Sequence, residues 1–471
     1  MTITIGGIIY IVILIVIFLK NRFSLSRMYR AFFELAVLTE FLLNAGYVAK
    51  LGNFTIAYNY LSSFALFIPS LVICIEYRKK IPSRMPIISL LFLIELFIGV
   101  SFSTLTRTSY QGVPFNDNYD SYFVYGKNLP FVSVDLNQFV NMFVRFVIII
   151  TNISAFSAIY SRKDFAITAN HFYKVGRFVL FIALIEFFFD NFVSDSLIRS
   201  LLFSIIGESG YFLPRQFLNF YSPLLASYEP SETSFVYYFF ALVALFQLKT
   251  ANTKSNEKII IYFMLYLLLL VTTGALTSLL LLSSLLLVII VYLINDRSYF
   301  AGACIIVGSI LAFLVIITFF SNRINNIFYY AAKFNYGVAS LPPVSEIIRI
   351  YSIYNVLMHF FNHPLFGIGL GICFSFGALP TLLCNIGLVG FLLWISLMKA
   401  SLSKFSFSRA SYLVSFFNFF FILFFFGYHM GEMVFYERSF FILVMLTYLS
   451  CKEKRLPIQS RANLNKNAMK A

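Results

Sequence analysis

Charged residues are scarce in this chain, and their scarcity excludes a soluble protein. Only 12% of the 471 residues are Asp, Glu, Lys or Arg, whereas 60% are hydrophobic and the mean hydropathy is +0.85. Soluble domains carry about 25% charged residues, enough to cover a surface that faces water on all sides. The sequence therefore predicts a protein that lies in a lipid bilayer.

Cysteines and cofactor motifs are also few. The five cysteines show no metal-ligand spacing, and their odd number does not support a disulfide framework. The sequence has no Walker motif, no dinucleotide fingerprint and no cluster of histidines and carboxylates that would hold a metal. We expect no metal and no cofactor, and nucleotide-driven transport and metal-dependent hydrolysis are poorly supported.

Long apolar runs with few charged residues make up most of the sequence. About 13 runs (range about 11–14) occur, and most have the roughly 17–22 residues that a helix needs to cross a bilayer. Their lack of strict alternation favours helices over barrel strands. The predicted fold class is all-α, a polytopic integral membrane helical bundle over residues 1–451 with a basic cytoplasmic tail at 452–471. The runs lie at 2–19, 31–49, 54–76, 86–104, 136–160, 175–193, 233–248, 259–272, 275–295, 299–320, 378–398, 410–427 and 437–451.

The net charge of +15 reports topology rather than a nucleic-acid partner. About 25 of the Lys and Arg residues lie in every second loop and in the tail, which is the positive-inside pattern. This pattern places the N-terminus outside and the C-terminus in the cytoplasm. The predicted external loops are 105–135, 194–232 and 321–377.

Two of these loops are predicted to be structured. The 194–232 loop contains an apolar patch at Leu201–Ile206, which suggests a short helix on the membrane plane. The 321–377 loop has apolar residues at near-helical spacing over Val344–Phe361. Both loops are expected to form caps over the bundle.

External arginines are the first candidates for a functional site. Arg215 lies in the 194–232 loop and Arg349 in the 321–377 loop. A guanidinium keeps its charge and offers forked donors that suit phosphate oxygens. The alternative is that both arginines contact lipid head groups at the interface.

The second candidate is the segment that opens the predicted helix at 233. Glu229 and Glu232 flank Pro230 and Ser231 there. Proline suits the first helical turn, and Glu232 suits a position facing the positive end of the helix dipole. A carboxylate at this surface could instead act as a general base.

The third candidate is a glycine-rich stretch, Gly367, Gly369 and Gly371, preceded by His363. Glycines let backbone N–H groups approach an anion and form a phosphate nest, but they also permit a tight turn back into the membrane. His363 is either a base that works near neutral pH or a hydrogen-bonding residue at a helix end.

Arg145 is a charged residue well inside a predicted span. Because such a charge is costly against lipid, it should face protein or water. Two roles remain open for it, a structural bridge to Glu95 or Glu186 and the guidance of an anionic substrate.

These motifs resemble the bacterial O-antigen polymerase and ligase superfamily. The resemblance rests on Pro364–Gly371, a Pro-Leu-Phe-Gly-x-Gly-Leu-Gly stretch that follows Arg349, and on the Glu-Pro-Ser element at 229–231. It covers roughly residues 200–400. It implies a polymerase of polysaccharide repeat units, for O-antigen or capsule, at the outer face of the bacterial inner membrane.

The resemblance also implies roles for residues and partners. A growing glycan would leave undecaprenyl diphosphate for an incoming lipid-linked unit, without metal or nucleotide, and a chain-length regulator is an expected partner. Arg215 and Arg349 would hold the donor diphosphate, while Glu229 or His363 would assist deprotonation of the acceptor hydroxyl. Further expected substrate contacts are Glu232, Arg145, Gly367, Gly369 and Gly371.

Two alternatives stay open. A ligase would transfer glycan to lipid A-core, but ligase-type members often carry a His-Asn pair where this chain has Ser375, Phe376 and Gly377. A flippase or other transporter is the non-enzymatic alternative. It would favour inverted repeats, and the chain shows no convincing internal repeat.

Labelling with a membrane-impermeant maleimide tests the predicted topology. In a chain whose five native cysteines are replaced by serine, Arg215→Cys and Arg349→Cys are expected to react from the outside of intact cells. Lys454→Cys should react only after permeabilisation, because the basic tail is held in the cytoplasm. Reaction of positions 215 and 349 from the cytosolic side alone would overturn the assignment.

Overall fold

The computed structural model of the chain describes most of the helical bundle. Its described residues are 2–43, 46–51, 54–105, 109–114, 130–193, 197–207, 216–217, 220–221, 223, 225, 230–250, 256–273, 275–296, 325, 345–405, 407–425 and 437–450. The predicted span at 299–320 and the tail at 452–471 lie outside these residues.

Helices dominate the fold, at 82% of the structure. In chain order the α-helices are α1 Ile5–Asn21, α2 Leu25–Leu42, α3 Tyr58–Glu76, α4 Arg84–Leu105, α5 Leu136–Ile159, α6 Arg162–Phe192, α7 Leu197–Ile206, α8 Pro230–Thr250, α9 Asn256–Thr272, α10 Leu276–Asp296, α11 Ser345–Asn362, α12 Ala378–Ser401, α13 Arg409–Phe425 and α14 Glu437–Leu449. Short 3-10 turns lie at Arg78–Lys80 and Ser403–Phe405.

Short strands lie at one end of the bundle, here called the strand end. They are β1 Thr2–Ile3, β2 Tyr47–Leu51, β3 Phe54–Ala57, β4 Tyr110–Gln111, β5 Val113–Pro114, β6 Phe131–Val132, β7 Gln216–Phe217, β8 Phe220–Tyr221 and β9 Cys373–Phe374. All pair antiparallel, in the order β1-β2-β3 and as the pairs β4-β6, β5-β9 and β7-β8.

The apolar helices suggest a membrane-associated protein. Within the described residues, five helices are long and apolar enough to cross a bilayer, and shorter apolar helices accompany them. The predicted number of about 13 spans is not confirmed. The five candidate spans are Tyr58–Glu76, Arg84–Leu105, Leu136–Ile159, Glu232–Thr250 and Ala378–Phe405.

Large apolar side chains cover the outside of several helices. On α1, Ile8, Val12, Ile15 and Leu19 are each more than half exposed. Soluble proteins rarely present apolar surface of this extent, whereas lipid solvates it. The exposed belts therefore fit the composition of the chain.

Helix α8 forms the centre of the bundle. In its apolar window, Glu232–Thr250, 89% of the residues are buried, and α6, α9, α10 and α14 pack around it. Phe239 stacks on Phe41 of α2 at 4.0 Å between ring centroids, and the Tyr238 hydroxyl lies 2.9 Å from the Ser284 hydroxyl of α10. The polar tips of its tyrosines are thus satisfied inside the core.

Basic residues of the predicted cytoplasmic loops meet at one end of the bundle. Arg30 pairs with Asp164 at 2.6 Å, and Lys404 donates to the Ala158 carbonyl at 3.0 Å. Lys249 likewise donates to backbone carbonyls at the end of α14. The short strands β2, β6 and β9 lie next to the opposite ends of α2, α5 and α12.

Helix α12 is broken at Gly387. This residue has φ 62° and ψ −171°, a conformation suited to glycine. The break lies about 13 Å along the helix from Ala378, at a rise of about 1.5 Å per residue. It is therefore well inside a candidate span rather than at its end.

A loop from the preceding segment fills the break. Residues 363–372, here called the glycine loop, descend beside α12 after α11. The Ile368 N–H donates to the Cys384 carbonyl at 2.8 Å, and the Gly369 N–H donates to the Asn385 carbonyl at 3.1 Å.

The second half of α12 is satisfied by the same loop. The N–H groups of Leu388 and Val389 donate to the carbonyls of Pro364 and Leu365, at 2.8 and 3.0 Å. Backbone groups released by the break therefore find partners where water is scarce.

The glycine loop does not lie over the bundle as a surface cap, as was expected for the 321–377 loop. On α4, Gly99 abuts the loop so closely that a Cβ there would lie 3.0 Å from the Phe366 carbonyl oxygen. The Ser103 hydroxyl, one turn further along α4, donates to the Ile368 carbonyl. The loop is thus inserted between α4 and α12.

We expect Gly367→Ala to lower the thermal stability of the purified protein. Gly367 has φ +68°, and a Cβ at this residue would lie 2.5 Å from the Cys384 carbonyl oxygen. Strain of this kind costs about 1–3 kcal/mol. Melting in detergent micelles measures the loss, with Ser396→Ala, at an exposed position of α12, as the control. Equal melting temperatures for the two variants would contradict the described packing.

Candidate functional site

Two of the predicted catalytic residues, Arg215 and Glu229, lie outside the described residues. Arg349 lies on the first turns of α11, and its backbone is helical. Their expected roles therefore stay predictions. His363 is the catalytic candidate whose side chain the structure describes.

His363 lies at the end of α11 in a cluster with Tyr110 of β4. The Tyr110 ring is 5.5 Å from the His363 ring and 5.6 Å from the His359 ring, edge-on to both. His359 Nε2 donates to the Gln111 carbonyl at 2.8 Å, and Asn355 Nδ2 donates to the same oxygen at 3.1 Å. Two imidazoles thus meet at the strand end of the bundle, where His363 is half-buried.

The environment of His359 affects its protonation. Burial lowers the pKa of this imidazole, the hydrogen bond to Gln111 raises it, and the nearby His363 lowers it. The net shift is downward. His359 is thus held as a neutral donor to the Gln111 carbonyl.

The three glycines of the loop have mainly conformational explanations. Gly367, Gly369 and Gly371 have φ values of 68°, 110° and 82°. The N–H of Gly367 donates to the His363 carbonyl and that of Gly369 to the Asn385 carbonyl. These two N–H groups are therefore engaged within the protein, and the geometry matches the tight-turn interpretation of the stretch.

Asn385 fastens the loop to the first half of α12. Its Nδ2 donates to the carbonyls of Cys373 and Thr381, at 2.7 and 2.8 Å. Its Oδ1 accepts the Ile372 N–H at 3.0 Å. A single buried amide therefore holds three backbone groups, a role that the sequence alone did not reveal.

Buried hydroxyl groups bond to one another and to the backbone at Ser375–Gly377. The Ser375 hydroxyl lies 3.0 Å from the Thr381 hydroxyl, and Ser352 of α11 accepts the Phe376 N–H at 3.0 Å. All three polar side chains are buried. This part of the site ties α11 to α12 and carries no titratable imidazole.

A strand pair joins the glycine loop to the predicted first external loop. Val113 pairs with Phe374, and Pro114 pairs with Cys373. Gly112 lies against Cys373, since a Cβ there would be 2.7 Å from Sγ. The structure thus brings parts of the 105–135 and 321–377 loops together.

Arg145 points towards α3. Its guanidinium donates to the Tyr60 hydroxyl at 3.0 Å and lies 4.6 Å from the centroid of the Tyr60 ring. A bridge to Glu95 does not form, because Glu95 has no hydrogen-bond partner among the described residues. The expected role of Arg145 in guiding a diphosphate stays a prediction.

Glu95 is a residue whose position the sequence did not predict. It is 3% exposed on α4, and a Cβ at Gly390 would lie 2.4 Å from its Oε2. Its carboxyl group therefore lies against the first turn of the second half of α12. No signal in the sequence pointed to this contact.

Acidic residues also lie near the end of α6 and at the start of α8. Glu232 is 7% exposed in the first turn of α8, where a negative charge interacts favourably with the positive end of the helix dipole. On α6, Glu186 is buried and accepts the Leu225 N–H at 2.8 Å. Glu186 thus supports the segment that precedes α8.

Arg438 is a buried arginine that sequence analysis did not single out. It is 7% exposed near the start of α14. Its Nη1 donates to the Glu40 carbonyl at 2.9 Å, and the guanidinium lies 5.5 Å from the Phe41 ring centroid. These contacts link α14 to α2.

Comparison with protein-family models, curated proteins and solved structures finds no match for this chain.

The low pKa of His359 predicts a loss of stability in acid. The unfolded chain binds a proton below about pH 6.5, whereas the folded chain resists it. Stability should therefore be complete above that pH and fall as the pH drops. Melting curves from about pH 8 to about pH 5 should show a smaller acid loss in His359→Gln than in wild type. His171→Gln, at an exposed position, is the control, and equal acid profiles for wild type and His359→Gln would contradict the assignment.

Proposed function

We propose that this protein polymerises polysaccharide repeat units at the outer face of a bacterial inner membrane. A growing glycan is transferred from undecaprenyl diphosphate to an incoming lipid-linked unit, in O-antigen or capsule synthesis. The observation that carries the proposal is the glycine loop, whose Pro-Leu-Phe-Gly-x-Gly-Leu-Gly stretch resembles that of the polymerase and ligase superfamily and is built into the bundle.

The geometry of the strand end supports this proposal in a second way. The glycine loop, α11, β4 and β5 form one unit that carries two half-buried imidazoles and the half-buried amide of Asn355. Groups of this kind hydrogen-bond sugar hydroxyls and can move a proton. His363 at the margin of the unit is the candidate to accept the proton of the acceptor hydroxyl.

The arginines supply the other half of the proposed reaction. Arg349 lies on α11, which leads directly into the glycine loop. In the proposal Arg349 and Arg215 hold the donor diphosphate, and their charge stabilises the leaving group as negative charge develops. Glu229 is the alternative base, and Glu232 and Arg145 are proposed to line the substrate path.

A transporter of lipid-linked oligosaccharide is the second candidate. Broken helices and intramembrane carboxylates are typical of secondary transporters. The break at Gly387 and the buried Glu95 beside it favour this alternative. A ligase would use the same donor, but Ser375 and its neighbours lack the expected histidine.

A complementation experiment separates the three functions. In a strain that lacks the gene, the wild-type chain should restore long surface polysaccharide on a gel. Arg349→Ala should leave at most one repeat unit on the lipid core, because the donor diphosphate is no longer held. Arg78→Ala, an exposed arginine of a predicted cytoplasmic loop, is the control and should restore long chains.

The products of the gene deletion identify the step. Bare core with long carrier-linked chains would indicate a ligase, and bare core with single units retained inside would indicate a flippase. Long chains made by Arg349→Ala at normal protein level would remove this residue from the mechanism.

A further inference from the structure

Glu95 lies where three elements meet. Its carboxyl group contacts Gly390 in the second half of α12, next to the Ile386 side chain of the first half. One turn further along α4, Gly99 contacts the glycine loop at Phe366. A carboxylic acid therefore stands beside the break in α12 and beneath the loop that fills it.

Neither oxygen of Glu95 has a hydrogen-bond partner among the described residues. Glu95 is 3% exposed, and Gly390 and the Ile386 side chain beside its carboxyl group are apolar. An ionised carboxylate without a partner is strongly disfavoured in such a place. Its charge must be removed by a proton or balanced by a bound cation.

The ionisable groups of the packed elements are engaged elsewhere or lie apart. Arg145 of α5 contacts Tyr60, and His363 at the start of the glycine loop contacts Tyr110. On α12 the ionisable groups are Cys384 and Lys399, and neither forms a hydrogen bond or ion pair with Glu95.

The donor set favours a proton over a metal ion. Hard cations such as calcium take about six to eight oxygen ligands. Of the oxygens at the break in α12, Asn385 Oδ1 already accepts the Ile372 N–H, and the Cys384 and Asn385 carbonyls accept N–H groups of the loop. Within the described residues, no three His, Cys, Asp or Glu side chains come together as a metal site.

We propose that Glu95 is a proton-binding site at the break in α12, and that loss of its proton loosens the junction of α4, the glycine loop and the second half of α12. The neutral acid fits the apolar site. Ionisation places an unpaired charge there, and water must enter or the elements must separate. The hydrogen bonds of Leu388 and Val389 to the loop are the first contacts affected.

The only tryptophan of the chain is a built-in reporter for this junction. Trp394 is 1% exposed, one helical turn after Gly390 on α12. Loosening of the junction should expose its indole to water and shift its emission to longer wavelength. The readout needs no enzymatic activity, so it stands or falls independently of the proposed function.

The experiment compares wild type with Glu95→Gln, the isosteric neutral variant, in detergent or lipid nanodiscs. Between about pH 6.5 and about pH 9, above the ordinary carboxyl range, wild type should lose several degrees of melting temperature and its Trp394 emission should shift. Glu95→Gln should show neither change. Glu257→Gln, at an exposed position of α9, should behave as wild type.

The sign of the effect follows from the protonation states. An unpaired Glu95 charge is costly in the folded site and is solvated in the unfolded chain, so deprotonation favours unfolding and stability falls as the pH rises. Protonation of His359 affects stability only at acid pH and leaves the alkaline part of the stability profile unchanged.

Three outcomes would overturn the proposal. The first is an identical alkaline profile in wild type and Glu95→Gln. The second is a Glu95→Gln variant that fails to fold at every pH, since the neutral isostere should fit the same apolar site. The third is an emission shift governed by sodium at constant pH, which would indicate a bound metal cation instead of a proton.

Discussion

A backbone N–H or carbonyl without a partner is costly inside an apolar bundle, and α12 is interrupted in such a place. The glycine loop forms hydrogen bonds with the backbone on both sides of the break. It donates to Cys384 and Asn385 and accepts from Leu388 and Val389, so the loop replaces the bonds that a continuous helix would make. The path of α11, the position of β9 and the close approach of α4 follow from this exchange.

The hydrogen bonds between the glycine loop and α12 also hold the side chains at the strand end in position. Because the loop must stay in register with the broken helix, His363 is held beside Tyr110, and Asn385 holds Ile372 and Cys373 in place. A rigid scaffold of this kind can orient groups for a reaction without paying their ordering entropy at each turnover. In the proposed function, the hydrogen bonds that satisfy the break in α12 therefore also place the candidate residue His363.

Length and periodicity carried the correct part of the sequence analysis. They predicted a mostly helical chain with long apolar helices, and helices appear at Leu197–Ile206 and Ser345–Asn362, where apolar spacing predicted them. They could not predict the break at Gly387, because the run at 378–398 is apolar enough overall to be interpreted as one continuous span. The partners of Gly387 and Glu95 come from distant segments, so their environment depends on tertiary packing that no local pattern encodes.

The pairing of β5 with β9 also constrains how the protein is made. Pro114 leaves the ribosome roughly 260 residues before Cys373, the residue it pairs with. During synthesis the early strand has no partner, and α4 has no loop to cover its glycine face at Gly99. Closure of the chain at this point must therefore wait until α12, which bonds to the loop, has been synthesised, and this makes the seating of the loop a late step of biogenesis.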